Sequence, residues 1–421
     1  MPKKRSIILG KLVRRISRLR GDGSALPGLI IEKTDPSFVH DCLSQLSRGV
    51  VVVTGTNGKT TTTKIITELL ESQGLTVFTN PTGSNFVRGV IASLLETIDL
   101  RGNLNADIAV LELDEAHAIK FTDIITPTYS LLLNIMRDQL DRFGEIDYTA
   151  QLLAELASRT TDTVITNRED QRLATLKTNA QVRYFGLSDN LRKTFLEADQ
   201  LSSDRSSPKQ STRPKAIVTL SKLSDNKASF IINGHLHTTN MSLKGIYNSF
   251  NAAAALVLVK SILPDSDDQS LINTLESIKS AFGRGESFYI DNTELELILI
   301  KNPSGLQLAL NSFDPTGHAN MIAINDTPAD GRDISWLWDV DFSTFQELGI
   351  EQISGIRAND MALRLQYSEI PFNHIDEDLI TATNHFISSS TLPKRIFCSY
   401  SAMLQIRKHL LRITRSDKHH E

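Results

Sequence analysis

Apolar residues run unbroken from Val50 to Val53, followed by Thr54 and bracketed by Gly49 and Gly55. This is the pattern of a strand buried on both faces, without the alternation of a surface strand. A helical period follows, in which Ile65, Ile66, Leu69 and Leu70 share one face and Gly74 closes the segment. Apolar runs recur at 75–79, 108–113, 129–133 and 163–166, with helical stretches between them. The order strand, glycine loop, helix, strand predicts βαβ units of a parallel sheet continuing to about residue 190. The pattern then lapses. Residues 197–215 are rich in Ser, Asp, Lys and Arg, contain Pro208 and Pro214, and predict a mobile insertion spanning about 187–215. Beyond it, 216–220 and 229–232 read as a hairpin, and 246–259, with alanines at 252–255, reads as a closely packed helix. After Arg284 the alternation restarts, with strands at 295–300, 320–324, 352–355 and 395–399 and helices near 304–310 and 360–367. The expected fold class is α/β: a unit over 1–285 with a mainly parallel sheet, then a smaller Rossmann-like α/β unit over 286–421.

Composition agrees with more than one core. A chain of 421 residues is too long for a single ordinary domain. A net charge of −4, with 40% hydrophobic and 22% charged residues, describes a globular protein and argues against a nucleic-acid partner. Cys42 and Cys398 stand far apart and suggest neither a disulfide framework nor a zinc site, which fits a reducing compartment. No apolar run approaches the roughly 18–20 residues of a membrane span. The N-terminus is different in charge: Lys3, Lys4, Arg5, Lys11, Arg14, Arg15, Arg18 and Arg20 alternate with Ile7, Ile8, Leu12, Ile16 and Leu19. Charges this dense interrupt any signal-peptide core. A basic helix over 1–20 is predicted, and two readings stay open: its apolar stripe packs on the body, or its basic face rests on an anionic membrane.

Three polar segments follow directly on predicted strands. In Gly55-Thr56-Asn57-Gly58-Lys59-Thr60-Thr61, glycines would let backbone N–H groups converge on phosphate oxygens at a helix N-terminus. Lys59 would reach the β- and γ-phosphates, and Thr60 or Thr61 would offer a hydroxyl to Mg²⁺. The spacing departs from GxxxxGK[ST], which would need glycine at Val53, so an ordinary glycine turn is the alternative. At the end of the 108–113 strand, Glu112, Asp114 and Glu115 are placed to hold Mg²⁺, or Glu112 to form a buried ion pair. Residues 134–145 hold Asn134, Arg137, Asp138, Gln139, Asp141 and Arg142, either as a phosphate-contacting site or as ion pairs at a helix start.

In this order the segments resemble the Mur-ligase family. Gly55 to Thr61 matches its phosphate-loop variant, Glu112 falls where the family holds Mg²⁺, and Asn134 to Arg142 looks like its Asn-x-x-x-Asp-His-x-Asp-Arg segment. Residues 243–255 resemble the block whose first asparagine, here Asn248, contacts adenine, and Gly283-Arg284 resembles the pair whose arginine, Arg284, reaches the γ-phosphate. The resemblance implies a P-loop central domain over 1–285 that uses ATP and Mg²⁺, with Gly55, Thr56, Asn57, Gly58, Lys59, Thr60, Thr61, Asn134, Asn248 and Arg284 on the nucleotide. Thr60 and Glu112 would hold the metal, and Lys59 and Glu112 would be catalytic.

The departures point to a subgroup. Gly55 lies too near residue 1 for the UDP-binding domain of ordinary Mur ligases, and Gln139 replaces the family's metal-associated histidine. Residues 26–28, 300–305 and 324–339 look like MurT-type proteins, synthetase subunits working with a GatD-like glutaminase. That resemblance implies a heterodimer acting on lipid II at the inner face of the cytoplasmic membrane. ATP would activate the D-glutamate α-carboxylate as an acyl phosphate, and ammonia would convert it to D-isoglutamine. Asp333 would complete the partner's Cys–His pair in trans; read locally, it is an N-cap for residues 335–339. Trp336 and Trp338 would be local packing or interface. No cysteine falls in 187–215, where related proteins carry a zinc ribbon, so no zinc is expected. Two alternatives remain: a folylpolyglutamate-type amino-acid ligase, and a non-catalytic ATP-binding activator of a glutaminase.

Overall fold

In the computed structural model, the described residues are 1–19, 25–80, 86–136, 146–192, 213–224, 227–243, 245–279, 284–313 and 315–417. Two sheets carry the chain. The first holds β1 (Val50–Thr54), β2 (Val77–Thr79), β3 (Ile108–Glu112), β4 (Tyr129–Leu132), β5 (Thr163–Asn167), β6 (Gln181–Leu187), β7 (Ala216–Ser224), β8 (Lys227–Ile232) and β9 (His235–Asn240), in the order β2-β3-β1-β4-β5-β6-β7-β8-β9. Pairing is parallel from β2 to β7 and antiparallel across β7, β8 and β9. The second sheet holds β10 (Arg284–Ile290), β11 (Thr293–Leu299), β12 (Ala319–Ala323), β13 (Ile350–Ser354), β14 (Phe372–Asp376) and β15 (Lys394–Cys398), in the order β10-β11-β15-β12-β13-β14. All its pairs are parallel except β10 with β11.

Helices cover both faces of the first sheet, which is why β1, β3 and β5 are buried at every position. On one side lie α1 (Lys4–Leu19), α2 (Ala25–Thr34) and α3 (Phe38–Leu43). On the other lies α4 (Lys59–Ser72); α5 (Val87–Thr97), α6 (Glu115–Thr122) and α7 (Ile146–Arg159) return to the first side, followed by the single turn α8 (Gln171–Ala174). Beside α4 run α9 (Ile246–Ile262) and α10 (Asp268–Ser277). The alanines at 252–255 are fully buried and let α9 lie close against α4 and the sheet. In the second sheet, α11 (Pro303–Ser312) and α12 (Ala358–Tyr367) cover one face, and α13 (Leu379–Ser388) and α14 (Tyr400–Asp417) the other.

Of the two readings of α1, packing of its apolar stripe on the body holds for Ile7 but not for Ile8, Leu12 and Ile16. Ile7 is buried, but Ile8, Leu12 and Ile16 are 59%, 55% and 45% exposed. The body side of α1 is instead formed by Ser6, Ile7, Gly10 and Ser17. A Cβ on Gly10 would lie 2.5 Å from Leu95, so small residues set how closely the helix approaches α5. Cys42 and Cys398 are both buried free thiols; burial pushes Cys42 up to about 12 and raises Cys398 as well, which leaves neither reactive near neutrality.

Candidate functional site

Three loops leave the carboxyl ends of β1, β3 and β4, neighbouring strands of the first sheet. Chain direction reverses there: from β1 the chain crosses to β2 on one side, and from β3 it crosses to β4 on the other. Open parallel sheets bind ligands at such a switch point. The first loop, residues 55–58, turns through Gly55 at φ 127° and Gly58 at φ 90° into the N-terminus of α4. Left-handed φ at Gly58 is tolerable only without a side chain. A Cβ there would also approach the Asn251 carboxamide to 2.7 Å. Gly58→Ala should therefore lower stability by about 1–3 kcal/mol and displace Asn251. Thermal unfolding, together with calorimetric titration of ADP showing at least about tenfold weaker binding, measures both effects.

Asn134 braces this loop. Its Oδ1 accepts from the Asn57 N–H at 2.9 Å, its Nδ2 donates to the Asn57 carbonyl at 3.0 Å, and its own carbonyl accepts from the Thr56 N–H at 3.1 Å. Thr56 Oγ1 accepts from the Met136 N–H at 3.0 Å, closing the zipper between the loops. Asp170 continues it, accepting from the Ile135 N–H at 3.0 Å while capping α8. Burial raises the Asp170 carboxyl above its ordinary value, against the pull of these N–H donors. Nothing in the alternation of apolar residues singles out Asp170; the polar run at 167–170 after a buried strand is its one signal.

Lys59 opens α4 and folds back over the loop. Its Nζ donates to the Gly55 carbonyl at 2.5 Å and the Thr56 carbonyl at 3.2 Å, and lies 3.3 Å from Glu115 Oε1. Thr60 Oγ1 donates to Glu112 Oε1 at 2.8 Å, and Asn80 holds the Glu112 backbone at both its N–H and its carbonyl. Sequence reasoning grouped Glu112, Asp114 and Glu115 around one cation. The structure separates them: Glu115 goes to Lys59, and no three-ligand cluster of His, Cys, Asp or Glu occurs among the described residues. The Thr60 hydroxyl and Glu112 carboxylate still fit Mg²⁺, which takes few protein ligands and completes its octahedron with water and phosphate oxygens.

Beside the loop is a cleft open to solvent, whose lining does not include Lys59, Thr60, Glu112 or Glu115. Asn57, Gly58, Thr61, Asn134 and Asn248 all line it, so the candidates from three separated segments meet in one place. Its opposite wall comes from the second sheet, through Gly305, Leu308 and Ala309 of α11. Asn302, which caps α11 by accepting from the Gly305 N–H at 2.6 Å, also exchanges carboxamide hydrogen bonds with Asn57 at 3.2 and 3.4 Å. This contact across 245 residues couples the phosphate-loop segment to the second sheet. Sequence reasoning placed residues 300–305 in a distinctive segment without assigning Asn302 a role.

Asp333 does not line this cleft. It follows β12 in a loop tied down by Asp330, which accepts from the Ser401 N–H at 2.7 Å and from the Ser401 and Thr327 hydroxyls, each at 2.6 Å. Asp333 Oδ1 accepts from the Ser335 N–H at 2.9 Å, a turn contact; Ile334 holds the N-cap position of 335–339 without a side-chain cap, so Asp333 is not the N-cap expected from the sequence. Trp336 is buried in the second core, whereas Trp338 is 48% exposed beside Tyr367 and Arg364. Arg137, Asp138, Gln139, Asp141, Arg142, Lys244, Phe282, Gly283, the Arg284 side chain and residues 193–212 of the insertion lie outside the described residues.

Comparisons with known proteins agree along most of the chain. The Mur ligase middle domain matches residues 53–259 and the MurT ligase C-terminal domain matches 299–403. The lipid II isoglutaminyl synthase (glutamine-hydrolyzing) subunit MurT of Streptococcus pneumoniae is 30% identical, over 94% of this chain and 94% of its own length. Its Staphylococcus aureus counterpart is 29% identical, over 90% and 91%. Among solved structures, the MurF ligase from Thermotoga maritima in complex with ADP superposes with a TM-score of 0.67 at 17% identity, covering 91% of this chain and 84% of that one.

Proposed function

The chain belongs to the MurT family of Mur ligases, and from that premise we propose that it is the ATP-dependent synthetase subunit of a glutamine-hydrolysing lipid II isoglutaminyl synthase. The observation that carries the proposal is the convergence of Asn57, Gly58, Thr61, Asn134 and Asn248 on one cleft whose far wall is the second sheet. Residues 1–285 form the ATP-binding part in this reading and 286–421 the MurT-type part.

The reaction has two steps. A carboxylate oxygen of the D-glutamate in lipid II attacks the γ-phosphorus of ATP, the bond to the β-phosphate oxygen breaks, and ADP leaves an acyl phosphate behind. Ammonia then attacks the acyl carbon, the carbon–oxygen bond to phosphate breaks, and loss of a proton leaves the carboxamide. Mg²⁺ would be held by Thr60 and Glu112 and would offset charge on the phosphates. Lys59, now against the Gly55 and Thr56 carbonyls, would turn to the β- and γ-phosphates, and Arg284 would reach the γ-phosphate. Asn134 sets the loop, and Asn248 would meet the adenine. Closure of the cleft, open to solvent here, would exclude water and protect the acyl phosphate. The second protein is a GatD-like glutaminase that supplies ammonia, with Asp333 reaching its catalytic histidine. The substrate places the work at the inner face of the cytoplasmic membrane, and no described helix is long and apolar enough to cross it.

Reconstitution tests this directly. Chain, glutaminase, ATP, Mg²⁺, glutamine and lipid II together should convert one carboxyl to a carboxamide by mass spectrometry, and omission of ATP or of the chain should abolish conversion. No conversion with all components present would sink the reading. A mass gain of a whole amino acid, with free amino acids and no partner, would move the assignment to the folylpolyglutamate-type alternative.

A further inference from the structure

The N-terminal helix is turned inside out for a segment that only packs on a body. Apart from Ile7, which is fully buried, its body side is held by small or polar groups: Ser6 Oγ donates to Asp35 at 2.6 Å, Lys3 pairs with Asp35 at 3.1 Å, Lys11 Nζ donates to the Ile98 carbonyl at 2.7 Å, and Arg14 pairs with Glu96. Those contacts fix the rotation of the helix about its axis. The larger side chains Ile8, Leu12 and Ile16, four residues apart, consequently form an outward row, with Leu9 beside it. Lys4, Arg5 and Arg15 are exposed on the same side. Residues 1–20 contain Lys3, Lys4, Arg5, Lys11, Arg14, Arg15, Arg18 and Arg20 and no Asp or Glu, in a chain whose net charge is −4.

An exposed apolar row is costly in water, and its flanking charges are of one sign. We propose that α1 is an interfacial docking helix that lies in the plane of an anionic lipid surface, with Ile8, Leu12 and Ile16 among the acyl chains and Lys4, Arg5 and Arg15 against lipid phosphates. Anchoring by Asp35, Ile98 and Glu96 transmits that orientation to the first sheet, because these partners belong to the segment after α2, the end of α5 and α5 itself. The inference rests on the helix geometry; the reading of lipid II as substrate adds only that the surface carries the substrate.

Sedimentation of the full chain, alone and with its glutaminase, with vesicles tests it. Vesicles of phosphatidylglycerol and phosphatidylcholine in equal parts should carry the protein down, and phosphatidylcholine alone should not. Leu12→Gln with Ile16→Gln, and separately Arg15→Glu, should each weaken partitioning by about tenfold or more, and raising salt to about 0.5 M should weaken the wild type. These positions are exposed, so the variants should keep the wild-type melting temperature and full amidation of detergent-solubilised lipid II. Absence of binding to anionic vesicles at low salt would overturn the proposal, as would binding unaltered in the variants. So would a self-associated wild type dissociated by Leu12→Gln/Ile16→Gln, or loss of vesicle binding on adding the glutaminase, since either gives the face to a protein. Vesicle binding needs no turnover. A failure there is distinct from inactivity in detergent, which would count against the lipid II reading instead.

Discussion

Replacing Lys59 with alanine is expected to lower ATP-dependent amidation by at least about 10²–10³-fold, with glutamine or with ammonia as nitrogen source, because a preorganised cation is lost from the transferring phosphoryl group. The measurement has a structural complication. Lys59 is also the partner of Glu115, whose side chain is 3% exposed, at 3.3 Å. Removing one member of a buried pair strands the other, at about 3–5 kcal/mol. Part of any activity loss in Lys59→Ala could therefore arise from a damaged loop. The second substitution Glu115→Gln separates the two causes: it removes the stranded charge and should restore the melting temperature while leaving turnover at the level of the single variant. Recovery of activity along with stability would show that Lys59 acts through the fold, and would favour the reading of the chain as a non-catalytic activator.

The Lys59–Glu115 pair also marks where sequence reasoning stops. The buried strands β1, β3, β4 and β5 were legible to within a residue or so, because burial on both faces demands continuous apolar runs. The edge strands β9, β10 and β14 and the inner strand β6 were not, although the edge strand β2 was. β9 reads His-Leu-His-Thr-Thr-Asn and β14 reads Phe-Asn-His-Ile-Asp; both are edge strands, where polar residues are tolerated and blur the period. β10, the other edge of the second sheet, was missed for the same reason. The site followed a similar rule. Residues 55–61 and Asn134 stood out because each polar segment follows directly on an apolar strand, whereas Asn248 stood out only through the family resemblance; all three segments reach the cleft. Pairings between segments left no such mark. Glu115 turning to Lys59, Asp170 holding Ile135 and Asn302 meeting Asn57 each depend on how separate segments are brought together, which no local period encodes. The face of α1 stayed open for a third reason: counting apolar residues assumes that all the large ones pack inward, whereas Ser6, Ile7 and Gly10 do so here and Ile8, Leu12 and Ile16 do not.

Asp333 offers the sharpest separation between a local and a catalytic role. Its Oδ1 accepts from the Ser335 N–H at 2.9 Å, a contact that asparagine reproduces and alanine does not. If Asp333 only shapes the loop, Asp333→Asn should behave as wild type and Asp333→Ala should lose about 0.5–1.5 kcal/mol of stability, the net worth of one hydrogen bond. If Asp333 orients the histidine of a glutaminase partner, both variants should lose glutamine-supported amidation by about 10²–10⁴-fold, since a neutral carboxamide cannot hold and stabilise a protonating imidazole. We expect the second outcome. Ammonia-supported amidation should be unchanged in both variants, because Asp333 does not line the cleft assigned to ATP. Glutaminase activity of the assembled pair should fall in parallel with the glutamine-supported rate. A variant impaired equally with ammonia would place Asp333 in phosphoryl transfer or in the folding of the second sheet. An asparagine variant with full glutamine-supported activity would reduce it to the turn before Ser335. The loop resolves these cases: Asp330 anchors it through Ser401 and Thr327, and Asn325 and Asp326 through Ser401 and Arg357, so changing Asp333 leaves those hydrogen bonds in place.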